Sequence, residues 1–165
     1  MVHVKHFSDL DYFGGDVSSV MIDEHELAFA SSHSHHFGLV DIVDVNLTEY
    51  AGVRRVLEKS EGVFIIVRQL MQHLATWECI KVLENLVALK RQTPDKKIYV
   101  GLTTYLRQNG NNQQSYLLAT GHKINLFRKP FCLPDPIELI NDGAKDIYFG
   151  FWELTEESML HEDCD

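Results

Sequence analysis

One stretch constrains the fold more than any other: Gly62 followed by Val63-Phe64-Ile65-Ile66-Val67. A short, continuous apolar run rich in β-branched residues reads as a strand buried on both faces, a kind found mostly in parallel sheets. The period then changes. Between Ala75 and Gln92, Trp77, Ile80, Leu83 and Val87 recur at helical spacing, and Val82, Leu86 and Leu89 widen the stripe. Lys81, Glu84, Lys90 and Arg91 take the other faces, and Thr93-Pro94-Asp95 closes the helix. Lys97 to Thr103 returns to strand, which completes a strand–helix–strand unit with a right-handed crossover.

The alternation extends in both directions. Val17–Ile22 and Val40–Val45 read as strands, and Thr48–Lys59 as an amphipathic helix with Val53, Val56 and Leu57 inward. Residues 26–37 read either as a helix or as the second arm of a hairpin turning at Asp23-Glu24-His25. Downstream, Gln113–Thr120 reads as a short helix and Ile124–Phe127 as a strand. Leu133–Asn141 reads as a helix opened by proline. This order predicts an α/β fold with one compact domain over residues 16–146. An N-terminal extension (1–15) precedes it, and an aromatic then acidic appendage (147–165) follows. Ile147–Trp152 reads as an added strand packing back over the domain, or as an exposed interaction surface.

The net charge of −9 disfavours a nucleic-acid partner, although six of the acids lie in the tail from Glu153. No apolar run is long enough for a membrane helix, so no membrane partner is expected. The first residues lack the apolar core of a secretory signal, and a cytoplasmic location is expected. Cys79, Cys132 and Cys164 are too sparse for a disulfide framework and read as structural, Cys79 as a buried thiol and Cys164 as the most easily oxidised. No phosphate-loop, dinucleotide or nucleophile-elbow motif is present, so no cofactor is expected. His33, His35 and His36 are weak metal candidates because no second ligand motif accompanies them.

Particular residues in this layout resemble the receiver domain of bacterial response regulators. Met21-Ile22-Asp23-Glu24 is similar to the acidic pair after the first receiver strand, and Thr103 to the Ser/Thr after the fourth. Phe127-Arg128-Lys129-Pro130-Phe131 is similar to the Lys-Pro segment after the fifth. The resemblance implies a doubly wound, flavodoxin-like sheet of five parallel strands. Receivers place the phosphoryl-accepting Asp at the end of the third strand, where this chain carries Arg68, 45 residues after Asp23. A guanidinium, protonated up to a pKa above about 12, cannot accept a phosphoryl group.

A pseudo-receiver is the function this implies: a non-catalytic regulatory module that binds a protein partner or a second copy of itself. Its degenerate pocket would hold Asp23, Glu24, Arg68, Thr103 and Lys129, with Arg68 bridging the carboxylates where a receiver holds Mg²⁺. The interaction face would include Leu126, Phe127, Pro130 and Phe131, with Gln113–Thr120 and Leu133–Ile140 beside it. The alternative is a small flavodoxin-like enzyme or a ligand- or metal-binding domain using the crevice at the strand ends.

Overall fold

The computed structural model describes residues 10–44, 46–106, 123–143 and 145–155. The chain divides after Ser60 into two compact units, so the boundary falls inside the span expected to be one domain.

The first unit is a small β-α-β-α arrangement. Strand β1 (Tyr12–Asp16) leads into helix α1 (Ser19–Ala28), and strand β2 (His35–Leu39) returns parallel to β1, with Tyr12 opposite His35. Residues 17–22 therefore open a helix rather than a strand. The Asp16 carboxylate accepts from Ser18 N–H at 2.8 Å, and the Ser18 hydroxyl caps Met21 N–H at 3.4 Å. Residues 26–37 are neither one helix nor a hairpin arm: their start completes α1 and their end opens β2. Residues 40–44 form a turn instead of the expected strand, because Asp41 accepts from Val43 N–H at 2.9 Å. A short 3-10 turn (Leu47–Glu49) and helix α2 (Ala51–Lys59) complete the unit. Among its described residues the buried apolar ones are Ile22, Val43, Leu47 and Leu57.

The second unit holds the strand–helix–strand motif as expected. Strand β3 (Gly62–Val67), helix α3 (Thr76–Gln92) and strand β4 (Lys97–Tyr105) follow one another, with β3 and β4 parallel and Gly62 opposite Lys97. Beyond them the fold departs from expectation. Strands β5 (Glu138–Asn141) and β6 (Ile147–Glu153) complete a sheet ordered β3-β4-β6-β5, in which β6 runs antiparallel to both neighbours. The five-stranded, all-parallel, flavodoxin-like sheet is not formed; a two-stranded parallel sheet and a four-stranded mixed sheet stand in its place.

The differences have local causes. Leu133 and Asp135 each precede a proline, which disfavours helical backbone there, and residues 133–136 run without regular structure to β5 instead of forming the expected helix. Ile124–Phe127 bends into a turn instead of a strand, since Asn125 accepts from Phe127 N–H at 3.0 Å. Ile147–Trp152, set apart as an appendage in sequence, is most of an inner strand. Gln113–Thr120 lies outside the described residues.

Strict alternation splits the larger sheet into two faces. Ile98, Val100, Leu102 and Thr104 on β4 are 0% exposed, and Trp152 on β6 lies opposite Val100. With the buried row of α3 (Cys79, Val82, Leu83, Leu86 and Leu89) these residues make the core. Trp77 is 55% exposed, so the helical stripe is turned away from it.

Candidate functional site

The residues of the expected receiver pocket divide between the two units. Asp23 and Glu24 belong to the first, where they are exposed in the middle of α1 and not at a strand exit. Arg68, Thr103 and Lys129 belong to the second. Thr103 is buried on β4, and its hydroxyl accepts from Gln69 N–H at 2.9 Å, holding the chain where it turns away from β3. Gln69 takes a φ of 56°, the left-handed conformation that lets the backbone reverse there. Lys129 is exposed in the turn region before Pro130.

Arg68 does make a bidentate ion pair, but its partner is Asp142, just past the end of β5. Nε and one terminal nitrogen of Arg68 lie 2.9 to 3.2 Å from the carboxylate oxygens. These hydrogen bonds hold the Asp142 carboxyl below the usual carboxylate range against the opposing effect of burial. The Arg68 charge and the Gln69 side chain reinforce the shift. The ion pair joins the chain ends leaving the two edge strands of the sheet. Beside it Tyr105 donates to the Gln72 side chain, and burial together with the Asp142 charge pushes the phenol up.

The outer face of the sheet is the most distinctive surface of this unit. Register places Phe64, Tyr99, Gly101, Phe149, Phe151, Ile66 and Ile140 on it, opposite to the buried set. The rings touch in sequence: Tyr99 lies 6.3 Å from Phe64, Phe64 5.3 Å from Phe151, and Phe151 4.9 Å from Phe149. Gly101 makes room for them, because a Cβ there would stand 2.5 Å from the Phe149 ring. Phe64, Ile66 and Ile140 are 51%, 63% and 44% exposed. Sequence reading missed this face because a run buried on both sides and one buried on a single side look alike when every residue is apolar.

The interaction face expected at 126–131 is different in kind. Leu126 and Phe131 are core residues at 0% and 1% exposure, while Phe127 is half-buried and Pro130 exposed. Leu126 is drawn inward by its N–H, which donates to Thr104 at 3.0 Å.

Of the histidines, His33 is exposed in the turn before β2, and His35 and His36 open that strand on opposite faces. The His35 ring stacks on Phe29 at 4.9 Å, and its Nδ1 lies 2.6 Å from the Ser32 hydroxyl. His36 Nε2 is buried without a hydrogen-bond partner among the described residues. No three potential metal ligands cluster among the described residues.

Cys79 is a free thiol at 0% exposure, and burial together with the Glu78 charge pushes it up to about 12. Cys132 is disulfide-bonded, a bond that the sparse cysteine pattern did not announce. No helix among the described residues is long and apolar enough to cross a membrane. No protein-family model matches the chain, and no curated protein matches it.

Proposed function

We propose that the chain is a non-catalytic regulatory module that works by binding protein, with the outer face of the four-stranded sheet as its working surface. One observation carries this reading: a contiguous aromatic row that includes Phe64, 51% exposed, with Ile66 on the same face at 63%. Exposed apolar side chains scattered singly are ordinary, but a connected patch of rings marks an interaction surface. Aromatic side chains supply large contact area at small entropic cost, and interface centres are enriched in them.

The inner face supports the same reading from the other side. Val67, Ile98, Val100, Leu102 and Trp152 on it are buried, so the core forms on that side of the sheet. The test is proximity labelling in cells by the full chain and by its Phe64→Ser/Ile66→Ser variant, with thermal melting of both. The variant is expected to melt close to the wild type, since both positions are exposed, and to lose the labelled proteins. An unchanged set of labelled proteins contradicts the reading.

A further inference from the structure

The two edges of the four-stranded sheet are unequal. Strand β5 is short, carries Glu138 at its start, and follows Pro136. Charge, shortness and nearby proline are the devices that keep a sheet edge from pairing with another chain. Strand β3 has none of them. Gly-Val-Phe-Ile-Ile-Val contains no charged residue and no proline, and among the described strands only β4 pairs with it, on one side.

Its open side can be read residue by residue. Lys97 N–H donates to Glu61 C=O at 3.2 Å, so the odd-numbered residues of this segment turn their backbone groups toward β4. Gly62, Phe64 and Ile66 therefore present N–H and C=O to the open edge, and no described residue bonds to them. All three are exposed. Backbone groups left in this way are a template for another strand.

We infer that β3 pairs antiparallel with β3 of a second copy, joining two sheets into one continuous sheet across a twofold axis at Phe64; this rests on the binding-module reading above. The pattern is self-complementary, as a twofold interface requires. Centred on Phe64, the pairing sets Phe64 against Phe64 of the second copy and Gly62 against its Ile66. Each outward residue then exchanges both backbone bonds with the residue it faces. The small Gly62 leaves space beside the bulky Ile66, and the two rows of rings join into one stripe over the combined face. Direction follows from the symmetry: a twofold axis normal to the sheet reverses the second strand and keeps both aromatic faces on one side, and Arg68, held by Asp142, plays no part in the pairing.

A single strand edge gives a contact at the small end of specific interfaces, so the equilibrium belongs in the micromolar range. Sedimentation of the full chain from about 1 to about 200 µM is expected to show monomer passing into dimer. Ile66→Lys, which places a charge on the edge, is expected to weaken the dimer by at least about tenfold. Phe64→Cys is expected to cross-link to itself under mild oxidation above the wild-type background, because facing residues in such a pair stand about 5.5 Å apart at Cα. Tyr99→Cys, on the same face but one strand inward, is expected not to. A chain that stays monomeric throughout, or a Tyr99→Cys variant that cross-links as readily as Phe64→Cys, overturns the pairing. If the Phe64→Ser/Ile66→Ser variant nonetheless loses its labelled proteins, only the second copy is wrong and a foreign strand occupies the edge. If labelling is also unchanged, the binding-module reading falls with it.

Discussion

At the scale of single residues, Arg68 and Asp142 carry the clearest electrostatic consequence. The Asp142 carboxyl sits below its usual range in the folded chain, so the ion pair contributes stability above the ordinary carboxylate range. That contribution is lost as pH falls through the depressed folded value. Asp142→Asn is therefore expected to lower the urea midpoint at pH 7, and the gap from wild type is expected to shrink at pH 3. A gap that is constant with pH contradicts the assignment. Cys79 gives a second residue-scale prediction. A thiol pushed up to about 12 by burial is almost wholly protonated at pH 8, and the thiolate is the reactive form. Its peptide is expected to be labelled by thiol reagents only after unfolding; rapid labelling in the native chain contradicts this. Arg68 itself was legible in the sequence as a cation at a strand end that would seek a carboxylate. Its partner was not, because Asp142 lies 74 residues away and on an element whose type was misread.

At the scale of elements, β3, α3 and β4 were legible because their signals are long and agree with one another. An apolar β-branched run, a helical stripe and a Thr-Pro-Asp stop each point to the same unit. The misread elements are short, and small polar devices decide them. Ser18 caps a helix where Val17–Ile22 reads as strand, and two prolines keep 133–136 out of the helix that the pattern suggests. The face of α3 was legible only in part, since its apolar residues spread around most of the helix. Leu86→Ala, at a fully buried position, is expected to cost about 2–5 kcal/mol. Trp77→Ala, at a position 55% exposed, is expected to stay within about 0.5 kcal/mol. Urea unfolding of both variants checks the orientation of the helix. Equal losses contradict it.

At the scale of the whole molecule, the unforeseen element is β6. Its aromatic run was open to reading as an extra strand, but nothing local shows that it lies between β4 and β5 and reverses direction. That placement removes the parallel crevice on which the receiver-like pocket depended and creates the aromatic outer face instead. Among the described residues it also leaves β3 at an edge, with β4 on one side and no strand on the other. The acidic excess does not guard that edge: ten acids lie before Glu61 and six from Glu153 onward, while Gly62–Val67 carries no charge. Both proposed contacts therefore lie on β3 and the face it borders. Amide hydrogen exchange at Gly62, Phe64 and Ile66, followed in the full chain from dilute to concentrated solution, tests the pairing most directly. Exchange at these amides is expected to slow as concentration rises and to stay fast at every concentration in Ile66→Lys. Fast exchange in the wild type at all concentrations would contradict it.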